Sequence, residues 1–316
     1  MEKQSGLMKL ADAMAEGSFD LHLHSYYSDG SNSPAELFQL AMGRKLKAIA
    51  LTDHDTIDGL QSLLDVYQKI GMIGLEVPLV IPGVEISTRY VENDGEEDWS
   101  EVHLLAYFPD GGHEVMKGFL DEQRVARERR NELICERLRT LGYKITLKDL
   151  QKRFASGVLG RPHIARVLVE KDYFLNVSKV FDELLSRGKP GYVPRELPAT
   201  EDVISLILEK GGIPVLSHPY LYGWTEQEEL RAHLVRLQEA GLLGVELIHG
   251  ETPLAYSALL SEVSRELNLL PTGGSDYHGT TKPEVKIFHE ETNFTVHEAA
   301  LHAWLSLSGE GDAAEV

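Results

Sequence analysis

Short apolar runs alternate with helical segments along this chain, and nearly every run stops at a histidine, aspartate or glutamate. The first, Phe19-Asp20-Leu21-His22-Leu23-His24, alternates apolar and polar residues strictly, as a strand does. Residues 47–52 read as a buried strand ending at Asp53-His54-Asp55, 79–85 as a third ending at Glu85, and 102–107 as a fourth. Residues 213–218, 243–248 and 270–275 read as three more. Helical patterns lie between them. Ser33-Pro34-Ala35-Glu36 places an N-cap serine, a first-turn proline and a capping-box glutamate ahead of a helix running to about residue 45. Others cover about 57–70 and 200–210. Strand–helix–strand alternation specifies an α/β domain.

The middle of the chain departs from this pattern. From about 115 to 195 it is charged and helical, a mainly helical insertion between α/β segments 19–114 and 196–308. Within it, Arg124, Arg127, Arg129 and Arg130 are interleaved with Asp121, Glu122, Glu128 and Glu132, which reads as a salt-bridged helix face. Residues 1–18 form a terminal extension, of which 1–17 read as a helical or disordered lead-in. Residues 284–296 suggest a last strand or ribbon, 297–308 a final helix and 309–316 a disordered tail.

Composition excludes several classes. Thirty-one Lys and Arg face 50 Asp and Glu, a formal charge of −19, which argues against a duplex DNA partner. One cysteine, Cys135, rules out a disulfide framework and any cysteine-based metal site. No stretch approaches the roughly 18 apolar residues of a membrane span. No long apolar segment marks the N-terminus as a signal peptide, so a cytoplasmic location is expected.

The strand-end residues carry the chemistry. His22 and His24 share one strand face. Asp29 follows in the next loop, His54 and Glu85 end the second and third strands, and His103 lies on the fourth. His218 ends the strand after the insertion, and Asp276 and His278 follow the last strand. Active sites of parallel α/β and barrel folds gather at the carboxyl ends of strands. Six imidazoles and three carboxylates are too many for one ion and suit two or three divalent ions with mixed nitrogen and oxygen ligands. Adjacent cations would clamp a phosphoryl group and supply hydroxide at neutral pH. His297 and His302 resemble a zinc-protease helix but are five apart, about 140° around a helix, so they cannot share an ion.

In their order and context, His22-Leu23-His24-Ser25, Ser28-Asp29-Gly30, Thr52-Asp53-His54-Asp55, Pro82-Gly83-Val84-Glu85, Ser217-His218-Pro219 and Gly274-Ser275-Asp276-Tyr277-His278-Gly279 resemble the polymerase and histidinol phosphatase (PHP) family. The resemblance implies a distorted (β/α)7 barrel and a trinuclear centre, most often of manganese, sometimes of zinc or iron. It implies that His22, His24, Glu85 and Asp276 hold one ion, that Glu85 bridges to a second held by His103 and His218, and that Asp29, His54 and His278 hold the third.

The segments 160–166 and 188–194 resemble a subgroup with a helical insertion. Its members remove phosphate from 3′,5′-nucleoside bisphosphates and degrade short RNA from the 5′ end (ribonuclease AM type). Here Arg161, and less directly Lys189, would bind substrate phosphate. His163 reads as structural, the leaving group would take its proton from His218, His249 or metal-bound water, and His249 is also a candidate substrate contact. The partner is then a small phosphorylated substrate, a nucleotide or short RNA. Alternatives are a histidinol-phosphate-type phosphatase, which the insertion disfavours, a noncatalytic metal-binding regulatory module, which the filled ligand set disfavours, and a polymerase proofreading module. Residues 89–101, acidic and close to the expected site, read as a solvated surface loop.

Overall fold

The computed structural model describes residues 6–15, 18–92, 99–154 and 157–287. Among these residues seven strands form one sheet in chain order: β1 (Phe19–Leu23), β2 (Ala48–Leu51), β3 (Leu79–Val91), β4 (Trp99–Tyr107), β5 (Ile213–Leu216), β6 (Gly244–Ile248) and β7 (Leu270–Gly273). Just past β7, Leu23 and Tyr277 form a parallel bridge, so the sheet curls into a nearly closed barrel. The β1–β2–β3 and β5–β6–β7 runs are parallel, whereas β4 is antiparallel to both neighbours. That reversed strand is the distortion of the (β/α)7 barrel.

Among the described residues there are ten α-helices: α1 (Gly6–Ala15), α2 (Pro34–Gly43), α3 (Leu60–Gly71), α4 (Lys117–Thr140), α5 (Leu147–Arg153), α6 (Arg161–Glu170), α7 (Val177–Val180), α8 (Thr200–Glu209), α9 (Gln227–Glu239) and α10 (Leu254–Glu266). The reciprocal Ser33–Glu36 capping box starts α2 with Pro34 in its first turn, as the sequence predicts. The lead-in is helical. Leu10, Ala13 and Met14 of α1 pack with Phe19, Leu21, Ala48, Ala50, Ile81 and Tyr107.

A register shift in β1 between Asp20 and Leu23 aims the site residues. Leu21 joins the cluster beneath α1, while Leu23 packs on the other side with Leu37 and Phe38. His22 and His24 both reach the site. An irregularity that re-aims a side chain beside a functional site is a usual role of a β-bulge.

The flanks of residues 89–101 correct the surface-loop expectation, while 93–98 lie outside the described residues. Arg89–Val91 continue β3 and Trp99–Glu101 begin β4, paired in register. Two-residue periodicity prevails over charge here. Val84, Ile86, Tyr90, Val102, Leu104 and Ala106 pack outward against Val203, Leu234 and Leu260 of the outer helices. Glu85, Ser87, Glu101 and His103 line the inner cleft.

Helices α4 to α7 enclose a core of their own, including Ile134, Leu138, Leu150, Ile164, Leu168 and Val180. The expected last strand begins at residue 284, but 284–287 are turn and irregular chain. Its remainder, the final helix and the tail lie outside the described residues.

Because Leu10 is fully buried, Leu10→Ala should destabilise the protein by about 2–5 kcal/mol in denaturant unfolding. A change below about 0.5 kcal/mol, the range of surface substitutions, would show that α1 is not part of the core.

Candidate metal centre

Glu85 lies at the centre of the site, with no solvent exposure. Its Oε2 faces His22 Nε2 at 3.3 Å, His24 Nε2 at 3.2 Å and His54 Nδ1 at 2.9 Å. Its Oε1 faces His103 Nδ1 and His218 Nε2, both at 2.9 Å. Asp276 Oδ1 lies 3.5 Å from His22 Nε2 and 3.2 Å from His24 Nε2. Asp29 Oδ1 lies 3.1 Å from His278 Nε2.

All nine strand-end residues therefore converge. They form a group of His22, His24, Glu85 and Asp276, a group of His24, Asp29, His54 and His278, and a group of His54, Glu85 and His103 that His218 adjoins. The first matches the ligand set implied by resemblance. His54 faces two groups, because its Nδ1 meets Glu85 while its Nε2 lies 3.8 Å from Asp29.

The donor set fits cations. His22 Nε2, His24 Nε2, Asp29 Oδ1, His54 Nδ1 and Glu85 Oε2 are buried without a hydrogen-bond partner. Ligand atoms about 2.1 Å from a shared ion, at tetrahedral or octahedral angles, lie about 3.0–3.4 Å apart, close to the spacing seen here. The surroundings also set the tautomers. His22 Nδ1 donates to Glu246 Oε1 at 2.9 Å and His278 Nδ1 donates to the Asp276 carbonyl at 2.7 Å, which frees each Nε2 for the cluster.

Burial pushes the His24 imidazolium down, but Asp276 and Glu85 outweigh it and raise its pKa to about 9. His103 is likewise pushed down by burial and raised to about 9 by Glu85 and Glu101. Burial dominates at His218 and lowers it to about 4.

Local backbone features hold the set together. Asp53 accepts from Ser25 N at 2.7 Å, Ser25 Oγ at 2.6 Å and Ser28 Oγ at 2.6 Å, fixing the loop that carries Asp29. A Cβ at Gly274 would fall 2.3 Å from that of His22, so glycine permits the approach of β7 to β1. His218 and Asp276 are non-glycine residues with left-handed backbone, at φ 30° and 55°. Such strain persists where surrounding structure over-determines it, often at functional sites.

Beside the cluster lies a cleft of about 230 Å³ whose lining includes His54, His103, His218, His278, Arg127, Arg130 and Arg161. The arginine face expected to be salt-bridged to its neighbouring acids divides in two. Arg124 pairs with Asp121 and Asp58 on the surface. Arg127 and Arg130 turn inward with Asn131, Ile134 and Leu138 on the buried stripe of α4. Asp55 Oδ2 accepts from Arg127 Nε at 3.1 Å, from Arg127 Nη2 and from Arg195 Nη1 at 2.8 Å.

The other expected residues separate. Arg161 lines the cleft, whereas Lys189 is exposed in a turn and is not among the cleft residues. His163 is buried, and its Nδ1 accepts from Gly160 N at 3.0 Å, a structural role. His249 is not a cleft residue. Its Nε2 lies 3.3 Å from Asp276 Oδ2, which also accepts from Lys282 Nζ at 2.6 Å.

Sequence reading missed Glu246, Lys282, Arg127, Arg130 and Arg195. A lone glutamate inside the apolar run Gly244–Ile248 was the available signal for Glu246. The three-residue spacing of Arg127 and Arg130 above Ile134 was the signal for the arginines.

Glu246→Gln should lower metal affinity about 10–100-fold in a calorimetric titration, and unchanged affinity would remove its orienting role. Asp55→Ala leaves two buried guanidiniums without their carboxylate and should cost about 3–5 kcal/mol in unfolding. A cost below about 1 kcal/mol would contradict that.

Comparison with known proteins places this geometry. The PHP domain family matches residues 20–186. The chain is 33% identical to the 5′-3′ exoribonuclease Rnm of Escherichia coli, over 82% of this chain and 85% of the relative. It is 28% identical to the 3′,5′-nucleoside bisphosphate phosphatase of Chromobacterium violaceum, over 87% and 92%. The solved structure of an amidohydrolase from Chromobacterium violaceum with bound sulfate superposes with a TM-score of 0.73 at 25% identity, covering 93% of this chain and 96% of that one. Motif order, barrel and comparisons agree: the chain belongs to the PHP family of metal-dependent phosphoesterases.

Proposed function

We propose that this phosphoesterase acts on small nucleotides, either 3′,5′-nucleoside bisphosphates or the 5′ ends of short RNA. The carrying observation is that Arg127, Arg130 and Arg161 face the histidine–carboxylate cluster across one cleft. The similarity to an exoribonuclease and a bisphosphate phosphatase supports the same substrate class.

The nine converging residues would hold two or three divalent ions, manganese first, with zinc or iron as alternatives. His22, His24, Glu85 and Asp276 would take one, and Glu85 with His103 and His218 a second. Asp29, His54 and His278 would take the third. Divalent ions held there would supply Lewis acidity and a nucleophile at neutral pH.

The chain's own residues bind and orient the substrate. The planar fork of Arg161 suits phosphate oxygens. Arg130 adds a second guanidinium, buried with its Nε unpartnered. Fixed positive groups in a partly desolvated cleft neutralise charge as it builds on phosphoryl oxygens. Arg127, held by Asp55, contributes field and shape rather than a free donor fork. His249, behind Asp276, is assigned to orienting that carboxylate rather than to proton transfer. His218, engaged with Glu85, is assigned to the ligand set.

The acidic chain and a cleft bounded by the β3–β4 hairpin and the insertion favour small or single-stranded ends over duplex DNA. Among the described residues no helix is long and apolar enough to cross a membrane. A cytoplasmic setting, where nucleotides and RNA fragments occur, fits the buried unpaired thiol of Cys135.

The test is phosphate release from adenosine 3′,5′-bisphosphate by manganese-loaded protein. Turnover should be abolished by a chelator and restored by manganese, and Arg161→Gln should lower kcat/KM about 100-fold. Good turnover of an unrelated phosphate ester with none of the bisphosphate would overturn the nucleotide assignment.

A further inference from the structure

Glu101 of β4 and Arg161 of α6 meet at the mouth of the cleft. Arg161 Nη2 donates to Glu101 Oε2 at 2.9 Å, and both side chains remain about one-fifth exposed. The other carboxylate of the arginine group, Asp55, is buried and ties two guanidiniums into the fold. Glu101 is placed differently. It lines the open cleft with the histidine cluster, and its Oε1 is 4.0 Å from His103 Nε2. Arg130, beside it in the same lining, forms no ion pair among the described residues.

A carboxylate and a phosphate offer a guanidinium the same thing, paired acceptor oxygens in the plane of its fork. One donor edge cannot serve both. We propose that Glu101 is a built-in competitor for phosphate at Arg161. It holds the guanidinium in the empty cleft, yields to the substrate phosphate and re-forms the pair as product phosphate leaves. This rests on Arg161 being the phosphate-binding residue. Glu101 thereby sets how tightly product is retained, a property that the metal cluster alone does not determine.

A competing carboxylate weakens phosphate binding, so removing its charge strengthens it. A carboxylate that merely orients Arg161 does the reverse.

The experiment titrates inorganic phosphate into manganese-loaded, full-length protein by calorimetry. Glu101→Gln should bind phosphate roughly tenfold more tightly than the parent, the equivalent of one charge-assisted hydrogen bond. Glu101→Asp, whose shorter side chain retracts from Arg161, should also bind more tightly, which guards against a folding defect in either variant. Arg161→Gln should weaken binding, and combining it with Glu101→Gln should erase the gain. Equal or weaker binding by folded Glu101→Gln and Glu101→Asp, with Arg161→Gln still weakened, overturns the competitor and leaves the phosphate site standing. Unchanged binding by Arg161→Gln overturns that site and the competitor together.

Discussion

One buried carboxylate organises this molecule. Glu85 has no contact with solvent and five imidazoles around it. A bare carboxylate in that position would cost several kcal/mol, so positive charge must be gathered close to it. The irregular features of the barrel serve that end. The register shift in β1 aims His22 and His24, Gly274 lets β7 close against β1, and left-handed backbone at His218 and Asp276 turns their side chains inward. Glu246 then fixes the ring orientation of His22 and accepts the His218 amide. The barrel is less a regular repeat than a frame bent to bring polar strand ends together.

The helical segment between β4 and β5 meets a second electrostatic constraint. A chain of formal charge −19 repels polyanions at long range. Arginines from α4 and α6, with Arg195 beyond them, gather beside the cluster, where Arg127, Arg130, Arg161 and Lys282 balance the four carboxylates of the cleft lining. Asp55, the neighbour of His54, receives two of these guanidiniums. The ion pairs therefore join the insertion to the barrel at the site itself. The proposed phosphate-binding face and the candidate metal centre therefore share one strand end, Asp53-His54-Asp55.

Much of this was legible in the sequence. Polar residues at the ends of apolar runs identified the α/β architecture and the nine converging residues, because strand alternation and strand-end position are local properties. Pairing partners were less accessible. His54 faces two groups at once, which no spacing argument reveals. The charge around Glu101 suggests a loop, yet Tyr90 and Val102 keep the two-residue period and the flanking residues 89–91 and 99–101 pair as strands. Arg127 and Arg130 were read as surface because neighbouring acids suggested local pairs, while their partners lie in distant segments of the chain. Glu246 was hidden for the same reason.

The central claim is that Glu85 organises a multi-ion centre. Metal content of the purified, manganese-supplemented protein, measured by elemental analysis beside a folded Glu85→Ala variant, addresses it most directly. Two or three ions per chain are expected in the parent and at most one in the variant, since Glu85 belongs to two of the three groups that the nine strand-end residues form. A parent with no bound ion, or a variant with the parent's full complement, would contradict it.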